Sequence, residues 1–172
     1  MKYIVDTNVP KKASDMNVTS AIELKCAIAC LGFVKDMMES SSFILVLDAN
    51  SEILKEYLRV CSTGGQDNVA SLFLNWVQRN LTLRAGSQIE LQLITKHPDR
   101  GYEEFPDSPA LEGFDVADKK FIALANAHAE HPPIIEGSDS LWWKFRSPLK
   151  DCGIEVVFLC EDYVRTKNEE IR

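Results

Sequence analysis

A chain of 172 residues that is 45% hydrophobic and 26% charged, with few Pro or Gly, has the composition of an ordinary globular protein, which excludes a disordered or fibrous one. Its net charge of −7 argues against holding nucleic acid by bulk electrostatics, though not against an enzyme that acts on it, because a divalent cation or a basic partner can offset clustered carboxylates. No run approaches the roughly 20 apolar residues of a membrane span, and the apolar stretch before Asp6 is too short for a secretion signal, so the expected location is cytoplasmic, without membrane association.

In chain order, "KYIV" at residues 2–5 reads as a short buried strand running into Asp6. The segment 17–40 has apolar residues at helical spacing (Ile22, Cys26, Ala29, Phe33, Met37), with Asn17 or Thr19 as the expected N-cap. "FILVL" at 43–47 predicts a second strand, followed by a helix over about 51–61. After the break "STGGQDN", a helix over 67–80 is expected to carry Leu72, Phe73, Trp76 and Val77 inward. Residues 81–113 have no clear period: "LTLRAGSQIELQLI" reads as a helix or a hairpin, and the Pro-, Gly- and acid-rich remainder as an irregular insert. A helix over 115–129, a Pro-Pro break, the strand "IIEG", the short helix "SLWWKFRSPLKD", the strand "IEVVFLC" and a polar tail complete the chain. Strands alternating with helices predict a single α/β domain, a three-layer α/β/α sandwich with a central, mainly parallel sheet.

Cys26, Cys30, Cys61, Cys152 and Cys160 are odd in number, lie mostly in apolar stretches and form no CxxC pair. They are expected as buried reduced thiols rather than as a disulfide or zinc framework.

The carboxyl ends of parallel strands are where sites are built, because loops converge there across a crevice. Asp6 follows the first strand, Asp48 the second and Asp139 the strand "IIEG", while Glu56 and Asp118 belong to helices. Each taken singly has a structural explanation. Asp6, Asp48, Asp115 and Asp118 suit helix caps or first turns, and Glu56 a solvated helix face. Gathered at one end, the acids call for something more, since clustered like charges repel unless a cation neutralises them or some bind protons. Mg2+ and Mn2+ take oxygen ligands, keep waters and activate one of them, which leads to phosphodiester hydrolysis. The aspartyl nucleophile of phosphatases would need a second Asp two residues after the first, where this chain has Asn8, and the acid spacing of a receiver domain is also absent.

Set in order, "YIVDTNV", "SEILKEYLRV", "DVADKKFIALANAH" and "IIEGSDSLWW" resemble the successive motifs of the PIN-domain ribonucleases, and they bracket residues 3–142. The resemblance implies a Mg2+- or Mn2+-dependent endoribonuclease in which Asp6, Glu56, Asp118 and Asp139 hold the metal and Asn8 supports Asp6. It implies RNA as substrate and, for a free-standing chain of this size, the toxin of a bacterial toxin–antitoxin pair, with a small antitoxin protein as partner and a homodimer by analogy. Glu56 is preferred over Glu52, one turn away, because Glu-Tyr matches the family motif. The chain departs from the family at Gly137, where a hydroxyl residue is common; here the hydroxyl is on Ser138. A PIN-like RNA- or protein-binding module without turnover, and a nuclease acting on DNA, are the alternatives.

Asp115 is expected either as a supporting residue for Asp118 or as a cap. Lys11, Lys12, Lys119, Lys120, Lys144 and Arg146 follow the acids closely and are the candidate phosphate contacts, with Arg84 and Arg100 weaker ones. His97, His128 and His131 lack partners at ligand spacing and are expected to be structural or solvent-facing. One of Trp142 and Trp143 is expected in the core, with the other available to stack on a base.

Overall fold

The three inner strands of the sheet are short and almost wholly apolar, as strands covered on both faces must be. The structure, a computed structural model, describes the chain except residues 16, 63–67, 84, 171 and 172 and the side chain of residue 170. Arg84 and most of the break at 62–68 therefore lie outside the described residues.

The elements run β1 (Lys2–Val5), α1 (Asn8–Ala13), α2 (Ala21–Glu39), β2 (Ile44–Asp48), α3 (Glu52–Cys61), α4 (Val69–Thr82), β3 (Ile89–Gln92), β4 (Lys96–His97), β5 (Gly101–Tyr102), α5 (Lys119–Ala127), β6 (Ile134–Glu136), α6 (Ser140–Asp151), β7 (Val156–Phe158) and α7 (Glu161–Glu170). The main sheet has the order β3-β2-β1-β6-β7, with every neighbouring pair parallel, and helices cover it as a three-layer α/β/α sandwich. β4 and β5 pair separately as an antiparallel hairpin.

This order reverses direction between β1 and β6. The chain steps outward from β1 through β2 to β3, then returns to the other side of β1. A crevice at the carboxyl ends of such a strand pair is the usual place for a site in an open α/β sheet. Val5 lies opposite Ile135, and the Asp6 N–H donates to the Ile135 carbonyl at 2.9 Å, so Asp6 and Glu136 leave their strands side by side.

Several local expectations change. The cap of α2 is Ser20, whose hydroxyl accepts from the Glu23 N–H while Glu23 reaches back to the N–H and hydroxyl of Thr19. This reciprocal arrangement satisfies the free donors of the first turn better than Asn17 or Thr19 acting alone. Leu72, expected inward on α4, is 49% exposed, and Leu74 takes the inner face with Phe73 and Val77. Residues 115–118 form turns, and helix α5 begins only at Lys119. In the segment without a clear period, residues 89–92 are β3, which pairs in parallel with β2 at the edge of the main sheet. The polar tail folds as α7.

The cysteines are also corrected. Cys26 on α2 and Cys160 before α7 form a disulfide, whereas Cys30, Cys61 and Cys152 are free. Sequence separation hid this pair, because its members are 134 positions apart and the fold alone brings them together.

Candidate active site

Asp6 is 1% exposed at the exit of β1, and its Oδ1 accepts from the Asn8 N–H at 2.8 Å. Burial, then the charge of Asp118, push its carboxyl up to about 7, and the charges of Glu56 and Asp139 add to the rise. Beside it, Glu136 ends β6 at 0% exposure. Its Oε1 accepts from the Asp139 N–H at 2.8 Å, while its Oε2 takes no hydrogen bond from an N–H or hydroxyl group, the Asp6 carboxyl being the side chain that Glu136 meets. Burial first, and Asp6 second, hold the Glu136 carboxyl well above the usual range.

Three more acids surround this pair. Glu56 comes from α3, which is positioned when the Asp48 carboxylate accepts the N–H groups of Glu52 and Ile53 at 2.7 and 2.8 Å. Asp48 thus acts as a cap, one of the structural explanations open to it. Glu56 Oε1 accepts from the Thr7 hydroxyl at 2.7 Å, and its Oε2 meets Lys120 Nζ at 2.5 Å. Glu52 instead pairs with Lys55 and Lys96. Asp118, at the start of α5, makes no cap hydrogen bond; its Oδ2 accepts from Trp142 Nε1 at 3.0 Å. Burial raises Asp118 to about 6 against the opposing pull of the Trp142 hydrogen bond and the Lys120 charge, with Asp115 and Asp139 contributing to the rise. Asp139 caps α6, accepting from the Leu141 N–H at 2.8 Å.

The four expected acids therefore interact electrostatically at one end of the sheet, with Glu136 as a fifth. They are not drawn tight: among the described residues, no three of these carboxyls bring one oxygen each to within 4.8 Å of one another. Lys120, the Leu141 N–H and Trp142 Nε1 each engage one oxygen of Glu56, Asp139 and Asp118 respectively. The donors are all hard oxygens, and one buried oxygen takes no N–H or hydroxyl donor, which suits a small divalent cation better than a soft one. Closer convergence would require side-chain rotation about strands and helices already in place.

The supporting residues fall out differently from the sequence expectation. Asn8 supports Asp6 through its backbone, and the hydroxyl of Thr7 makes the side-chain link. Asn8 and Ser138 line a cavity of about 310 Å³ together with Lys11, Lys12 and Asp15. Gly137 is there for space: a Cβ would stand 3.3 Å from Cys30 Sγ and from Val9 Cα, so a hydroxyl side chain at this position would crowd α1. Asp115 is exposed and turns its carboxylate to the Ala117 N–H, yet with Asp118, Trp142, Lys144 and Phe145 it borders a cleft of about 280 Å³.

Of the candidate phosphate contacts, Lys12 pairs with Asp15, and Lys120 with Glu56 and the Ala117 carbonyl. Lys119 donates to the Arg100 carbonyl over the Phe105 ring, and Arg146 lies on Trp143. Lys11 and Lys144 are the exposed members of the set that border clefts next to the acids. Both tryptophans are buried. Trp143 packs edge-on to Phe158, so neither is presented to a base as expected. His128 is buried against Glu90, and His97 accepts from the N–H groups of Asp99 and Arg100, which makes both structural.

Sequence reasoning missed Glu136, Thr7 and the polar end of Trp142. Glu136 left a signal, being an acid at the end of a strand that is otherwise continuous apolar sequence. Comparison of the chain with protein-family models, with curated proteins and with solved structures finds no match, so what can be said of its activity rests on its own residues.

Proposed function

We propose that this protein is a Mg2+- or Mn2+-dependent endoribonuclease that hydrolyses phosphodiester bonds, as the resemblance of its motifs to PIN-domain ribonucleases implies. The observation that carries the reading is the buried pair of Asp6 and Glu136 at the switch point of the sheet, with no N–H or hydroxyl donor at Glu136 Oε2 and with Asp118, Glu56 and Asp139 around it. Two buried acids of like charge are costly unless a proton or a cation lies between them.

Asp6, Glu136, Asp118, Asp139 and Glu56 would hold the ion. When bound, it would polarise a phosphate oxygen and lower the pKa of the attacking water. The chain supplies the rest. Trp142 fixes the direction of the Asp118 carboxylate, and Thr7 and Lys120 fix that of Glu56. Lys11 and Lys144 flank the acids from two clefts, where they can take the phosphates on either side of the scissile bond. A role as the toxin of a toxin–antitoxin pair is part of the proposal. Finding a small basic open reading frame beside the gene would support it, and finding none would remove that part without touching the nuclease.

A binding module without turnover is favoured by one observation, the Lys120–Glu56 ion pair, which neutralises a carboxylate without metal. The deciding experiment incubates labelled single-stranded RNA and DNA with the purified chain in Mn2+, Mg2+ or EDTA. We expect cleavage of RNA with either metal, none in EDTA, and a loss of about 10–100-fold or more in Asp118→Asn. Cleavage in EDTA or at full rate in the variant overturns the metal site, binding without cleavage selects the module, and cleavage of DNA alone reassigns the substrate.

A further inference from the structure

Away from the acids, three sulfurs come together between α2 and the start of α7. Cys26 and Cys30 are one turn apart on the buried side of α2, and Cys160 immediately precedes α7. One sulfur from each lies within 4.8 Å of the other two, with Cys30 Sγ 3.7 Å from Cys160 Sγ. All three are buried, at 2%, 0% and 5% exposure. Cys61 and Cys152 take no part in the cluster.

We propose that, once the Cys26–Cys160 disulfide is reduced, Cys26, Cys30 and Cys160 form a three-thiolate site for a thiophilic cation of the Zn2+ or Cd2+ class. Bonds of about 2.3 Å from a zinc-like ion to three sulfurs require the sulfurs to be about 4 Å apart, for either trigonal or tetrahedral geometry. The Cys30–Cys160 separation already meets this. The three positions are fixed by a long helix and by the turn into α7, and after reduction the Cys26 and Cys160 sulfurs part from their bonded distance to this spacing.

The chemistry balances without a further reactant. A dithiol reductant delivers two electrons and two protons to the disulfide, giving two thiols and its own oxidised form. The three thiols then bind a divalent ion and release three protons to solvent, leaving a net charge of −1 on the group. Lys12, itself paired with Asp15, and Glu136 both lie within electrostatic reach of Cys30, and Lys25, Glu161 and Asp162 line the adjoining cleft, so the group sits among charges of both signs. Burial pushes the Cys30 thiol up to about 12, which keeps it protonated until an ion displaces the proton. The cleft, about 370 Å³, is also lined by Cys26, Cys160, Asp162 and Tyr163, and it gives both ion and reductant a route to two of the sulfurs.

The test uses the full chain, reduced anaerobically and freed of reductant, then titrated with Cd2+ in excess Mg2+. We expect an ultraviolet sulfur-to-cadmium absorption that saturates at one ion per chain, is absent from the disulfide form, and is lost in Cys30→Ser. It should persist in Cys152→Ser and in Asp118→Asn. No saturable absorption in the reduced chain, its survival in Cys30→Ser or its loss in Cys152→Ser overturns the proposal. Alkylation of the reduced wild-type chain read by mass spectrometry provides a route that needs no variant. Cd2+ must slow modification of Cys26, Cys30 and Cys160 but not of Cys152, and uniform rates overturn the site.

Discussion

The Thr7 hydroxyl donates to the Glu56 carboxylate at 2.7 Å, joining the residue after Asp6 to a helix 49 positions away. Thr7 is therefore the residue through which the end of β1 directs Glu56. Thr7→Val keeps the shape and removes the donor. The expected result is a thermal midpoint changed by no more than the worth of one hydrogen bond, about 1 kcal/mol, with RNA cleavage in Mn2+ slowed about tenfold or more. A variant with unaltered cleavage shows that Glu56 needs no such support.

Trp142→Phe tests the other support. The ring still packs against Phe114 and Phe121, but the Asp118 carboxylate loses its indole donor. Cleavage should fall by about 10–100-fold while the far-ultraviolet circular dichroism stays the same. Equal loss of fold and activity would reduce Trp142 to a packing residue.

Metal removal has a stability signature of its own. In EDTA the folded Asp6 titrates at about 7 and the unfolded one at its ordinary 3.8, so between these values the folded chain holds a proton that the unfolded chain has lost. Stability contributed by this group is complete below about pH 4 and is lost as pH rises toward 7. Mn2+ should reverse the trend above pH 7, raising the midpoint in wild type but much less in Asp6→Asn. Thermal melts across pH with and without Mn2+ check this, and a midpoint indifferent to Mn2+ counts against the site.

Glu136→Gln removes a buried acid while keeping an acceptor for the Asp139 N–H. In EDTA the stability of this variant should fall less than that of wild type as pH rises, because burial and Asp6 disfavour the charged form of Glu136 and the amide has no charged form. Its response to Mn2+ should shrink in parallel. Denaturant unfolding across pH, with and without Mn2+, reads both effects.

Opening the Cys26–Cys160 disulfide should lower the midpoint, since it closes a loop of 134 residues, and bridges of that kind contribute roughly 2–5 kcal/mol. Calorimetry with and without reductant measures this. Cys26→Ser should show the lower midpoint in both conditions.

The parallel sheet and its acid edge were legible in the sequence because both are local signals. Apolar runs of strand length alternate with helical periods, and Asp6, Glu56, Asp118 and Asp139 stand beside them. What was illegible depends on neighbours distant in sequence. Glu136 reads as the end of a strand until β1 is laid against it, and Trp142 as a core ring until Asp118 is placed at its nitrogen. β3 was hidden because an edge strand of four residues, only partly buried, has too few apolar positions to display a period. The partners of the basic residues were hidden in the same way: Lys12 and Lys120 stand beside acids in the sequence, but only the fold shows that they pair with Asp15 and Glu56.

The pairing of β1 with β6 also sets the order in which the acids can come together during synthesis. A ribosome that has released the chain only through α5 has exposed Asp6, Glu56 and Asp118, yet the strand that carries Glu136 has not emerged. The crevice closes only once β6 has emerged, so a product that stops before β6 lacks the edge on which the acids converge.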